Sequence, residues 1–329
     1  TQRIWVFFSV FVASLKKKLL ALDEDGQVFN VLENPAPQGR YFCPGCGGLV
    51  RYKSGKVLRS HFAHVTLRDC HYFSENESTQ HLSLKSCLYR WLVKAERVEL
   101  EKCMQELGQI ADLFVNDCLV MEVQCSSLPI SRLQLRTQAY REAGYLVLWL
   151  LGKDLWLKER LTNLHKQFLS FSMNMGFHLW ELDDEKKELR LRYLIHEDLR
   201  GKVHCLTKVF PFGEGNLLEI LRQPFAKQIL SSMTCPMDED LPRYIAQQLY
   251  YKSPKWLALQ AEAYGRGENL LTKTVFDWFP HIRLPRSAIG FAQIQVNLNS
   301  VYQDFDGYYA RVKDKRNQVL YPPVIYLKK

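Results

Sequence analysis

The chain has 329 residues, 47% of them hydrophobic and 24% charged, a globular mix that excludes a disordered, collagenous or coiled-coil chain and suits about two domains. A chain of this length buries a core without a disulfide framework, so the odd count of 9 cysteines reads as a reducing compartment, the cytoplasm by default, with one metal-binding pair. Lysine and arginine number 44 against 35 acidic residues, a formal net charge of +9 that favours a polyanionic partner.

Ile4 to Leu15 is an apolar run followed by Lys16, Lys17 and Lys18. It falls short of the roughly 20 residues that span a bilayer, and the basic cluster lies on the wrong side for a signal peptide. No stable membrane insertion is expected. Residues 19–32 (LLALDEDGQVFNVL) predict two short strands around an Asp-Gly turn, so 1–26 is read as an apolar and basic segment with a first strand. A Pro- and Gly-containing loop (33–40) leads into a cysteine and histidine cluster, and 27–73 is read as a zinc-finger-like module. Leucines at helical spacing predict a helix over 78–95. Three strands follow, 97–104, 110–115 and 119–125, then a helix over 131–143 ending at Gly144, then the apolar strand 145–151. Farther on, 177–195 predicts a hairpin with a charged tip, 215–280 is mostly helical by pattern, and 291–298 (FAQIQVNL) alternates like a strand.

Cys43-Pro-Gly-Cys46 followed by His61-Phe-Ala-His64 offers two thiolates and two imidazoles, the ligand set of a closed tetrahedral zinc site. The cysteine knuckle carries the stronger signal. The histidine pair, with two residues between, departs from the usual finger spacing, so the two need not both bind, and Cys70 or His71 is an alternative ligand to either. Arg40, Arg51, Lys53, Lys56, Arg59 and Arg68 surround the cluster with no acidic residue between them. With Tyr41 and Tyr52 this composition suits phosphate contacts and base stacking, and equally a solvated basic face. A zinc deaminase is excluded, because no His-x-Glu element precedes a Pro-Cys-x-x-Cys.

Asp112 in the middle strand and Glu122-Val123-Gln124 in the next plant polar groups inside apolar β-sequence. Buried carboxylates need compensation, and a divalent ion suits two that face each other. A two-residue turn at 116–117 would point Asp112 away from Glu122; a three-residue turn at 116–118 would set the two opposite each other.

These elements resemble the core of the PD-(D/E)xK nuclease superfamily and, more narrowly, the competence protein CoiA family. The resemblance rests on LLALDEDG, the Cys43/Cys46 and His61/His64 pairs, Glu77 with His81 and Lys85, Ala111-Asp112, Glu122 to Ser126, and Arg136, Tyr140 and Tyr145 to Trp149. It covers about 19 to 152, under half the chain. It implies an α/β chain with a restriction-endonuclease-like core (helix, three-strand meander, helix, strand) over 74–175, behind the N-terminal zinc-knuckle module and before a mainly helical C-terminal domain, 176–329. It further implies a cytoplasmic protein that processes incoming DNA during natural transformation and recombination. In that reading Asp112 and Glu122 hold Mg2+ or Mn2+ for phosphodiester hydrolysis, with Glu77 accessory, and Gln124 stands where the superfamily has lysine. An amide cannot carry charge, so Lys85 is the substitute ammonium and His81 a proton shuttle or a hydrogen-bond donor to the phosphate. Arg132, Arg136 and Tyr140 are candidate DNA contacts, joined by Arg51, Lys53 and Arg59 of the zinc module. DNA, single-stranded DNA foremost, and recombination proteins are the implied partners. The missing lysine supports an alternative, a non-catalytic DNA-binding recombination mediator on a degenerate nuclease fold.

Overall fold

A computed structural model of the chain describes residues 17–34, 38–55, 60–66 and 78–327. The apolar run 4–15, Lys56, Arg59, Arg68, Cys70, His71 and Glu77 lie outside them. Two compact units are formed: 1–127 with 135–154 and 184–187, and 128–134 with 155–183 and 188–329.

The first unit opens with short antiparallel strands, β1 (Lys17–Lys18), β2 (Leu20–Leu22), β3 (Val28–Asn30), β4 (Tyr41–Phe42), β5 (Leu49–Lys53) and β6 (His61–His64), in the order β1-β6-β5-β4-β2-β3. The Asp-Gly turn falls between β2 and β3, with Gly26 at φ 75°, a backbone state that favours glycine. Helix α1 (Thr79–Leu92) starts where the Ser78 hydroxyl accepts the His81 N–H at 3.1 Å, which satisfies one of the unpaired donors of the first turn. Its Leu82, Leu84, Leu88, Trp91 and Leu92 are buried, each such side chain contributing roughly 1.5–3 kcal/mol by leaving water. β7 (Val98–Met104), β8 (Gln109–Val115) and β9 (Leu119–Gln124) form an antiparallel meander; α2 (Ile130–Glu142) then carries the chain to β10 (Leu146–Leu151), which runs parallel to β9. A parallel neighbour requires such a crossover.

The β8–β9 turn decides the carboxylates. Val115 pairs with Leu119 and Leu113 with Met121, so the turn is Asn116-Asp117-Cys118, and continuing the register sets Asp112 opposite Glu122. Asn116 and Asp117 adopt φ 49° and 53°, the left-handed conformation that asparagine and aspartate tolerate best after glycine.

In the second unit, β11 (Ser170–Ser172), β12 (Gly176–Asp183), β13 (Glu188–Asp198) and β14 (Val203–Pro211) pair as antiparallel neighbours. Helices follow: α4 (Leu217–Arg222) after the short α3 (Asn163–Gln167), then α5 (Leu241–Tyr250), α6 (Pro254–Gly265), α7 (Asn299–Ala310) and α8 (Pro323–Tyr326). β15 (Met233–Pro236) pairs with β17 (Asn317–Leu320), and β16 (Ile282–Arg283) with β13. Leu241, Ile245, Trp256, Ala263, Leu270 and Trp278 make one of its apolar clusters. The segment from 176 is therefore mixed, a strand meander before helices, because the alternating burial of β13 and β14 gives period-2 faces that a helix cannot satisfy. The strand suggested at 291–298 is irregular chain; its alternating residues find no partner strand among the described residues. No described helix is long and apolar enough to cross a membrane.

Candidate functional site

Cys43, Cys46 and His64 converge, with ligand atoms all within 4.8 Å of one another. The knuckle forms because the Cys43 N–H donates to the Gly48 carbonyl (2.9 Å), the Gly47 N–H to the Cys43 carbonyl (2.9 Å) and the Gly48 N–H to Cys46 Sγ (3.4 Å). A Cβ at Gly48 would come within 3.2 Å of that sulfur. Burial pushes the Cys43 thiol up, but His64 and the knuckle amides pull it down to about 6, towards the thiolate that metal binding requires. Two sulfurs and an imidazole at this separation fit a metal ion such as zinc. His61 is not part of the cluster. It lies three residues from His64 on β6, and side chains three apart on a strand point to opposite faces; it is itself buried.

Along β5, Leu49, Arg51 and Lys53 are exposed while Val50 is buried, so both basic side chains share one solvated face. Arg40, Tyr41, Arg51 and Tyr52 line a cavity of about 430 Å³ beside it.

The second constellation lies between α1, the meander and α2. Asp112 and Glu122 are opposed in register, yet each is taken by a different helix. Asp112 Oδ2 accepts the Val123 N–H at 2.9 Å and lies 3.0 Å from His81 Nε2; Lys85 Nζ is 3.6 Å from Oδ1. Burial alone would raise the Asp112 carboxyl, but His81 and Lys85 hold it well below the usual carboxylate range. Glu122 instead meets α2. Arg136 Nη2 donates to both of its oxygens at 2.8 and 2.9 Å, and the Tyr140 hydroxyl donates to Oε1 at 2.7 Å. Burial still pushes Glu122 up to about 7, with Arg136 opposing and Asp112 adding to the rise.

Glu101 was not legible in the sequence as a member of this group. Its carboxylate takes Lys85 Nζ at 2.6 Å and the backbone N–H groups of Leu19 and Leu20 at 3.0 to 3.1 Å. The signal available was an acidic residue in a strand otherwise facing the core. The structure brings Asp112, His81 and Lys85 together and places Lys85, fully buried, between two carboxylates. Three expectations need correction. Gln124 turns its amide to the Ser126 carbonyl at 2.7 Å, a local bond. Arg136 is spent on Glu122 and on the Ile110 carbonyl at 2.7 Å, and Tyr140 is fully buried; neither is a surface contact for DNA, since buried polar groups on α2 must find partners inside. Arg132 is half-buried.

Whether these carboxylates suit magnesium is decided by their oxygens. Hard divalent cations take unencumbered carboxylate and carbonyl oxygen, and both oxygens of Glu122 carry the Arg136 guanidinium. Asp112 fits a cation better than Glu122, but the pair as arranged is neutralised by the chain's own cations and does not fit a two-carboxylate centre.

Residues 77–224 match the family described as "Competence protein CoiA, nuclease-like domain", and residues 30–73 match "Competence protein CoiA, N-terminal domain". The competence protein CoiA of Bacillus subtilis (strain 168) is 32% identical over 143 residues, 40% of this chain and 38% of that relative, so the similarity spans well under half of the relative's length. No solved structure matches the chain.

Proposed function

The chain belongs to the competence protein CoiA family, and on that footing we propose that it binds DNA taken up by competent cells and passes it to recombination without hydrolysing it. The observation that carries this reading is the clamp of Arg136 and Tyr140 on Glu122. A nuclease of the superfamily the core resembles needs that carboxylate for a cation; here a guanidinium holds it in a buried, hydrogen-bonded pair whose loss would strand a charge. The restriction-endonuclease-like core over 74–175 then serves as a scaffold. DNA is met by the zinc-knuckle module, where Arg51 and Lys53 share a solvated face and phosphate neutralisation by lysine and arginine supplies affinity regardless of sequence. Zinc at Cys43, Cys46 and His64 would brace that face, its fourth ligand coming from another residue or from water.

A second reading, phosphodiester hydrolysis dependent on magnesium or manganese, is favoured by a separate observation. Lys85 Nζ lies 3.6 Å from Asp112 Oδ1, which brings an ammonium from α1 to the neighbourhood where Gln124 leaves one missing. His81 beside the same carboxylate would suit proton transfer.

Incubating the full chain with end-labelled single- and double-stranded DNA, with magnesium, manganese or chelator, separates the two. The expected result is retention of DNA with no new fragments under any condition. Fragments that need the divalent ion and vanish in Asp112→Asn would overturn the first reading and establish the second.

A further inference from the structure

The second unit contains a constellation that the carboxylate pair and the zinc module do not use. Asp198 ends β13, His204 lies in β14 and Cys235 in β15. His204 Nε2 is 3.1 Å from Asp198 Oδ2, and its Nδ1 is 3.8 Å from Cys235 Sγ. One imidazole therefore spans a carboxylate and a thiol. The carboxylate is fixed in turn, because Asp198 Oδ1 accepts the Lys202 N–H at 2.8 Å within a tight turn closed by Gly201 at φ 84°. Orienting acid, imidazole and thiol in that order is the arrangement that activates a sulfur nucleophile.

The surroundings reinforce it. Asp198 and Cys235 hold the His204 imidazole up to about 9, so it is charged at neutral pH. His196, paired with His204 across β13 and β14, and His281, Lys255, Asp238 and Arg200 are among the charged or titratable groups nearby. Asp238 is itself paired with Arg200 at 2.6 and 2.7 Å, and His281, 3% exposed, has no hydrogen-bond partner at Nδ1. Cys235 is 6% exposed and paired across β15–β17 with Gln318. Such burial shuts out a macromolecular substrate.

We propose that Cys235, His204 and Asp198 form a reactive-thiol site whose substrate is a small hydroperoxide. The Cys235 sulfur attacks one peroxide oxygen; a sulfur–oxygen bond forms as the oxygen–oxygen bond breaks. Sulfur gives up two electrons and the peroxide accepts them. His204 gives its proton to the leaving oxygen, which departs as water or an alcohol, and takes the thiol proton in its place, and Cys235 is left as a sulfenic acid. The site would give the protein a response to peroxide that is independent of DNA handling.

The test treats the full chain with hydrogen peroxide, traps sulfenic acid with a dimedone-type reagent, and quantifies modification peptide by peptide. Cys118, exposed, is the internal reference. Cys235 should be trapped at least about 10-fold faster than Cys118, as expected of a sulfur with an oriented imidazole beside it to take its proton. His204→Gln should remove the advantage, and Asp198→Asn should reduce it while thermal unfolding confirms that the variants remain folded. If His204→Gln does not fold, Asp198→Asn and the ratio in the unmodified chain still decide. A Cys235 rate no greater than that of Cys118, or an advantage that survives both substitutions in folded protein, overturns the proposal.

Discussion

Arg136 Nη2 sits 2.8 Å from one oxygen of Glu122 and 2.9 Å from the other, with the Glu122 side chain 2% exposed and that of Arg136 16%. A carboxylate so enclosed has exchanged nearly all its contact with solvent for one guanidinium and one phenol. Removing either partner leaves a buried charge without compensation, which is far costlier than the net contribution of the intact pair.

Glu122→Ala and Arg136→Ala should therefore each lower folding stability by about 3–5 kcal/mol. Because the two residues are in direct contact, the double variant should lose clearly less than the sum. Urea unfolding of the four proteins measures this. Single-variant losses below about 1 kcal/mol, the range of a surface ion pair, would show that the clamp is not formed in solution.

Glu122 also sets a pH dependence. Its folded carboxyl is raised from 4.5 to about 7, so between those values the folded protein binds the proton that the unfolded chain has released, and stability falls as pH rises. Asp112, held below its ordinary 3.8, acts oppositely: its stabilisation is present above that value and is lost as pH falls through acid conditions. Denaturation at pH 5 and pH 8 should show the native protein losing stability across the interval relative to Glu122→Gln. Parallel pH profiles for the two proteins would contradict the assignment.

For the zinc module, metal content discriminates the two histidines. His64→Ala and Cys43→Ser should lose bound zinc, whereas His61→Ala, on the opposite face of β6, should keep it even if its stability suffers. Elemental analysis after dialysis gives the answer, and loss of zinc from the His61 variant alone would reverse the ligand choice. Stripping zinc from the native chain should also lower its melting temperature, since metal affinity in such modules is folding free energy.

DNA affinity should respond to the exposed pair and not to the buried one. Replacing Arg51 and Lys53 together with alanine should weaken single-stranded DNA binding at low salt and reduce the slope of log affinity against log salt by roughly 0.7 for each phosphate that is no longer neutralised. Tyr140→Phe, altering a buried hydroxyl, should leave that slope unchanged. Fluorescence anisotropy over a salt series measures both, and an unchanged slope in the Arg51/Lys53 variant would move the DNA interface elsewhere.

Much of this molecule was readable along the chain. The helix, three strands, helix and strand between 78 and 151 announce themselves through leucine spacing, strand alternation and turn residues, because those signals depend on neighbours a few positions apart. The opposition of Asp112 and Glu122 reduced to a choice between two turn lengths, and the left-handed Asn116 and Asp117 belong to the longer one. The cysteine knuckle was equally local. The pairing of charges was not. That Glu101 holds Lys85, that Arg136 and Tyr140 enclose Glu122, and that His204 joins Asp198 to Cys235 depends on side chains brought together from separate elements. Composition and periodicity report which face a residue occupies; they do not report which opposite charge will be buried against it. Sequence alone therefore determined the order of elements and the polar residues set into them, while tertiary packing, by deciding which cation desolvates beside which carboxylate, determined what those residues are free to do.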